Sequence, residues 1–198
     1  MLVKNGVLSE VTAQDINSDG TFTFPEGVTE IGFCAFHDRP ELVKIIIPKG
    51  VTKIGKGAFY GCPNLITVTL PDTITEIDDC AFSECIRLRE FKLPNSLTRI
   101  GDSTFFNCKK LINIVFPDSL TEIDYHAFCR CINLKKITIP DTIKHVEKEA
   151  FIDCPLLEEI VVPNHTIGTT KNLTSEKIQK IFKGEEVDDC RFEFQTFL

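Results

Sequence analysis

The sequence predicts an α/β solenoid that is mainly β, with about six coils. Pro recurs every 23 residues from Pro25 to Pro163, in seven copies without an insertion. Phe recurs with the same step from Phe36 to Phe151, and Leu and Cys follow it in columns of their own. An unbroken period of about 20 to 29 residues is typical of a solenoid, in which each coil buries its apolar side chains only against neighbouring coils.

Each 23-residue unit reads P-x-x-[VIL]-T-x-[IV]-x-x-x-A-F-x-x-C-x-x-L-x-x-[IVF]-x-[ILVF]. The end of the unit, as in 65–70, alternates and is rich in β-branched residues, which predicts a short strand. Pro ends this strand because it cannot donate to a ladder. A second extended run follows, as in 74–77. Ala81, Phe82 and Cys85 then stand three and four residues apart, so we expect one short helical turn that points all three side chains inward.

The A-F-x-x-C-x-x-L-x-x-I-x-[IL]-P unit resembles the BspA-like leucine-rich repeat family, over about residues 22–163. The resemblance implies a right-handed leucine-rich-repeat superhelix with a parallel concave sheet. It also implies adhesion or recognition roles, often on the cell surfaces of microbes and parasites.

The repeat divides the chain into three parts. Residues 1–24 form an N-terminal cap with a truncated coil, and residues 25–163 form six leucine-rich repeats. Residues 164–198 form a C-terminal cap, with a helix at about 175–183 followed by a short strand, because the end coils of a solenoid need covering.

Three columns of equivalent residues in the stack have structural interpretations. Five Cys of the repeat, Cys62 to Cys154, are expected to be inward-facing thiols rather than disulfides or metal ligands, which favours a reducing compartment. Cys34 and Cys80 share a column two coils apart, at about 10 Å, and cannot pair. The column Glu30, Lys53, Glu76, Arg99, Glu122, His145 alternates acid with base, so we expect a ladder of exposed ion pairs.

Several function classes are disfavoured. The formal charge of −7 argues against nucleic-acid binding, and no apolar run approaches the roughly 18 residues of a membrane span. There is no P-loop and no G-x-G-x-x-G motif. Ser103, His126 and Asp102 are close in the stack, but nothing supplies an oxyanion site, so a hydrolase is only a minor alternative. We expect no catalytic residue, no cofactor and no metal.

The outward positions of the concave strands are the candidate partner-binding residues. They are Lys44, Ile46, Thr67, Thr69, Glu90, Lys92, Asn113, Val115, Lys136 and Thr138. The same residues also fit a solvated strand face. The leading hypothesis is a non-enzymatic protein-binding scaffold, such as a microbial effector or an intracellular adaptor, that acts through the concave repeat face. The alternative is a cell-surface adhesion module exported without a visible signal.

The amino terminus shows no apolar stretch or cleavage site of a Sec-type signal. We therefore expect a cytoplasmic protein by default, with delivery into a host or surface display as alternatives. The expected partner is another protein, and the expected state is a monomer.

Overall fold

The structure is a computed structural model that describes residues 1–140, 142–147, 149–157 and the backbone of 159–161. The predicted C-terminal cap at 164–198, with its helix and strand, lies outside the described residues. A short 3₁₀ turn at Ala13–Asp15 accompanies the strands. The strands are β1 Leu2–Lys4, β2 Val7–Glu10, β3 Glu30–Ile31, β4 Lys44–Ile46, β5 Lys53–Ile54, β6 Thr67–Thr69, β7 Glu76–Ile77, β8 Glu90–Lys92, β9 Arg99–Ile100, β10 Asn113–Val115, β11 Glu122–Ile123, β12 Lys136–Thr138, β13 His145–Val146 and β14 Glu159–Val161.

One strand from each coil enters a parallel six-stranded sheet, in the order β4-β6-β8-β10-β12-β14. Its register is the repeat itself, because each residue faces the residue 23 positions on, as Lys44 faces Thr67. This is the predicted concave sheet. The six coils, the parallel sheet and the mainly β composition confirm the predicted solenoid.

The second extended run of each coil forms two-residue strands on the other arm. These strands join sheets of order β1-β2-β3-β5-β7 and β9-β11-β13. At the N-terminal end, β1 and β2 form an antiparallel hairpin, and β2 pairs with β3 in parallel. Leu8 pairs with Ile31, so the 23-residue step extends to the first strands of the chain.

The predicted helical turn at the Ala-Phe segment is wrong, although its three side chains do point inward. Ala81, Phe82 and Cys85 are fully buried, yet the segment is a run of turns in which Cys80 and Glu84 have φ of 56° and 62°. The N–H groups of Cys80, Phe82 and Glu84 donate to carbonyls of the next coil at 2.8–2.9 Å. These bonds between coils take the place of helical i→i−4 bonds, and left-handed residues cannot continue an α-helix.

A column of stacked Phe rings forms the centre of the core. The ring centroids of successive members lie 4.9–5.7 Å apart, and their planes are 4–18° from parallel. Phe91 adds edge contacts, at 4.8 Å, to both Phe82 and Phe105. Offset-stacked and edge-to-face arrangements are the favoured geometries for aromatic pairs. The stack consists of Phe36, Phe59, Phe82, Phe105, Phe128 and Phe151.

The thiols of the Cys column form hydrogen bonds between neighbouring coils. Each of the five thiols donates a hydrogen bond to the backbone carbonyl of the Phe in the preceding coil, at 3.0–3.2 Å. Burial raises the pKa of the Cys62 and Cys154 thiols to about 12. Arg39 occupies the column in the first repeat, and its Nε donates to the Val11 carbonyl at 2.7 Å. All eight Cys of the described chain are unpaired thiols.

Candidate binding face

The ten candidate contact residues lie on strands β4, β6, β8, β10 and β12 of the six-stranded sheet. In each of these strands the middle residue is buried and the two outer residues are exposed. In β8, for example, Phe91 is buried in the core while Glu90 and Lys92 face solvent. The side chains on one face of a strand alternate with those on the other. The structure therefore brings all ten residues onto one face, and their contact with a partner stays a prediction.

Stacking in register arranges the candidates in two rows, with about 4.8 Å between neighbouring strands. One row is Lys44, Thr67, Glu90, Asn113 and Lys136, and the other is Ile46, Thr69, Lys92, Val115 and Thr138. The two aliphatic members are well exposed, Ile46 by 56% and Val115 by 72%. Thr69 and Lys92 lie between them in the row, so Ile46 and Val115 do not form one continuous apolar patch. The face is polar with isolated apolar points.

A depression of about 380 Å³ opens beside this face, and residues of the fourth, fifth and sixth coils line it. Two candidates, Val115 and Thr138, contribute to it, and turn residues complete it. The sequence did not point to the turn residues, because Pro and Asp in each repeat were interpreted only as residues that end a strand and form a turn. Asp118 and Thr142 are exposed, whereas Pro140 is buried. Its full lining is Ile114, Val115, Phe116, Asp118, Thr138, Pro140 and Thr142.

The three residues of the hydrolase alternative do not form a nucleophile–base pair. The Ser103 hydroxyl donates to the Asp102 carboxylate at 2.6 Å. His126 instead lies 3.2 Å from a Glu149 carboxylate oxygen, and its ring packs against Tyr125 with centroids 3.7 Å apart. A catalytic Ser would need its hydroxyl hydrogen-bonded to the His.

The expected charge ladder is present only in part. Lys53 Nζ contacts Glu76 at 2.9 Å, as expected. Arg99 turns away from its column to bind Asp124 and, at 3.3 Å, Asp79. Burial lowers the pKa of Arg99, but the two carboxylates outweigh that effect and raise it. Burial raises the pKa of Asp124, and the single cation offsets this only in part. The prediction that Arg99 pairs within its own column is therefore wrong.

His145 also leaves the ladder, because its Nε2 lies 2.9 Å from Glu147 on its own strand arm. Among the residues that the structure describes, no cluster of three His, Cys, Asp or Glu side chains is placed to hold a metal ion. In the same part of the chain, no helix is long and apolar enough to cross a membrane.

Six copies of the BspA type leucine rich repeat region match residues 17–123 and 81–189. The chain belongs to the BspA type leucine-rich repeat family. This confirms the resemblance that the 23-residue unit carries. The family assignment covers both rows of the candidate face and the Phe and Cys columns behind it. No curated protein matches the chain.

Solved structures of leucine-rich repeat proteins from bacteria have the same fold as this chain. A leucine-rich repeat protein of T. pallidum is 26% identical, with a TM-score of 0.73, and the alignment covers 90% of this BspA type chain and 98% of that one. A leucine-rich cell surface protein of Faecalibacterium prausnitzii is 33% identical, with a TM-score of 0.68, over 74% of this chain and 39% of that one. A Bacteroides ovatus protein is 30% identical, with a TM-score of 0.55, over 69% and 42%. The chain thus spans about two fifths of the last two proteins.

Proposed function

We propose that the chain is a non-enzymatic binding scaffold that recognises a protein partner through the exposed face of the six-stranded sheet. The observation that carries the proposal is that four polar side chains on this face have no side-chain partner among the described residues. Lys44, Glu90, Lys92 and Asn113 make no side-chain hydrogen bond or ion pair in the described part of the chain. Strands in register hold the backbone of these residues, so a partner would have to order only their side chains and not the surface itself.

The composition of the face supports a protein partner. Non-obligate protein interfaces combine apolar points with hydrogen-bonding groups, and they are about as apolar as the remaining surface. Ile46 and Val115 supply exposed aliphatic groups, while Thr67, Thr69 and Thr138 supply hydroxyls. Membership of the BspA type family supports the same proposal, because leucine-rich repeat proteins are commonly binding modules. We propose further that the scaffold acts as a monomer and performs no chemistry.

A second candidate function is adhesion at a cell surface. The Faecalibacterium prausnitzii relative is a cell surface protein and is 33% identical to this chain. The two candidates differ in location rather than in binding face. Protease treatment of intact cells of the source organism separates them. Adhesion predicts loss of the protein from intact cells, whereas protection until the cells are lysed contradicts it.

The binding face is tested by charge reversal on the sheet. Lys44, Lys92 and Lys136 are changed together to Glu, and partners are captured from native lysate with the wild-type and variant proteins. A matched control reverses three exposed lysines elsewhere. They are Lys4, Lys49 and Lys144. We expect the face variant to lose partners that the control variant keeps. Identical partners for the two variants would remove this face from the account.

A further inference from the structure

Basic side chains are concentrated on one part of the solenoid. The relevant segment of a coil begins at the core Cys and ends one residue after the strand of the six-stranded sheet. In the third, fourth and fifth coils these segments are 85–93, 108–116 and 131–139. They hold seven of the 22 Lys and Arg residues and one of the 29 Asp and Glu residues. All seven are exposed, and we call them the basic patch. It consists of Arg87, Arg89, Lys92, Lys109, Lys110, Lys135 and Lys136.

The patch places like charges beside each other. Arg87 and Lys110 occupy the same column in adjacent coils, because they are 23 residues apart. Neighbouring coils are about 4.8 Å apart, and like charges directly opposite each other are destabilising. Arg87 donates a hydrogen bond to Asn64 of the preceding coil at 3.4 Å, but no carboxylate among the described residues offsets the repulsion between Arg87 and Lys110.

On the opposite arm of the solenoid, oppositely charged side chains form ion pairs. There Lys53 pairs with Glu76, and Arg99 lies between Asp79 and Asp124. In the patch, by contrast, none of the cations other than Lys136 forms an ion pair with a carboxylate among the described residues. The chain carries a net charge of −7, so it has carboxylates in excess. Exposed cations that lie close together in an acidic protein, without an ion pair among the described residues for any of them other than Lys136, indicate an external anionic partner.

We propose that the basic patch binds an acidic segment of the partner protein, so that this inference rests on the proposed function and names the chemistry of the partner. Apolar side chains lie among the cations. Ile112, 41% exposed, separates Arg89 from Lys135 in one column, and Ile132, 40% exposed, follows Lys109 in another. An acidic segment with interspersed aliphatic residues satisfies both features.

A nucleic acid fits the patch less well. Proteins that bind single strands combine a basic groove with aromatic side chains on which bases stack. The two aromatic residues in the three segments, Phe91 and Phe116, are buried in the core. The patch therefore offers cations and aliphatic groups but no aromatic platform.

The test uses the full chain and a labelled peptide of alternating Glu and Val, about ten residues long. At about 3.3 Å per residue, its extended length exceeds the roughly 10 Å that separates the outer two of the three coils. Binding is measured by fluorescence anisotropy at several salt concentrations. We compare the wild type with Arg87→Glu/Lys110→Glu and with a control of equal charge change, Lys4→Glu/Lys49→Glu. A single-stranded oligonucleotide is the competing probe. Thermal unfolding checks that both variants are folded.

We expect the peptide to bind the wild type, and its affinity to fall with salt. We expect the patch variant to bind about tenfold more weakly, since two attractions become repulsions, and the control to bind as the wild type does. Absence of peptide binding, equal binding by the two variants, or tighter binding of the oligonucleotide would each overturn the proposal. If the sheet-face variant still loses captured partners while the peptide fails to bind, the proposed function stands and only the acidic segment is wrong.

Discussion

Replacement of Phe82 by Ala tests the interpretation of the Phe column as the centre of the core. Phe82 is fully buried and stacks on Phe59 and Phe105 with ring planes 6° and 8° from parallel, and Phe91 meets its edge at 4.8 Å. A buried Phe→Ala change destabilises by about 3–5 kcal/mol. Each aromatic pair contributes about 0.5–1.5 kcal/mol beyond area burial. We therefore expect a loss near 5 kcal/mol, at the upper end of the range.

The assay is urea unfolding followed by far-ultraviolet circular dichroism, because the chain contains no Trp. Phe33→Ala is the matched control, since Phe33 is 70% exposed, and we expect it to change the unfolding free energy by less than about 0.5 kcal/mol. Domains are stable by only about 5–15 kcal/mol, so Phe82→Leu, which keeps most of the volume, provides a milder variant with an expected loss of about 1–2 kcal/mol. A loss below about 1 kcal/mol for Phe82→Ala would refute the reasoning.

Two further predictions concern the ion pairs of Arg99 and the partly exposed thiols of Cys34 and Cys80. Arg99→Met leaves Asp124 without an ion-pair partner among the described residues, while Lys56 still lies 3.8 Å from Asp79. We therefore expect a loss of about 1 kcal/mol in the free energy of unfolding that shrinks in high salt. A salt-independent loss would contradict the electrostatic explanation. Burial raises the pKa of Cys34 and Cys80, so we expect iodoacetamide to label them slowly near neutral pH and faster as pH rises. They should react ahead of the four fully buried thiols of the Cys column, which should react only on unfolding. These are Cys62, Cys85, Cys108 and Cys131. Peptide mass spectrometry measures each site, and early labelling of Cys108 in folded protein would show that the thiol column is not a core column.

The fold was predictable from the period because stacking converts a constant step into a constant register. A 23-residue repeat without insertions places every Phe on the next Phe, and it places Lys44 opposite Thr67 without further information. Period-2 alternation at the end of each unit then assigns the buried and exposed residues of the sheet. The same two patterns placed the ten candidate residues on one face.

The conformation of the Ala-Phe segment was not predictable from spacing alone. Residues three and four apart point the same way in a helix, but a run of turns with left-handed residues does the same. The available signal was glycine, because Gly57 and Gly61 occupy the two columns in which Cys80 and Glu84 have positive φ. Gly populates that region without steric cost, whereas other residues do so rarely.

The ion-pair partners of long charged side chains could not be predicted from the repeat either. The period states which residues are neighbours in a column, but it does not determine rotamers. Arg99 has carboxylates within reach both in its own column and in the loop beside it, and it binds Asp79 and Asp124 in the loop. The basic patch was missed for a related reason. The repeat pattern predicts each column of the concave sheet separately. The basic patch, however, combines cations on the strands with cations in the turn that precedes each strand.

The most direct test of the central claim is a lysine footprint of the complex with a captured partner. Lysines are acetylated in the free protein and in the complex, and each site is quantified by mass spectrometry. The account predicts protection of Lys44, Lys92 and Lys136 on the sheet, with Lys4 and Lys49 modified equally in both states. Protection of Lys4 and Lys49 with full modification of the sheet lysines would contradict it.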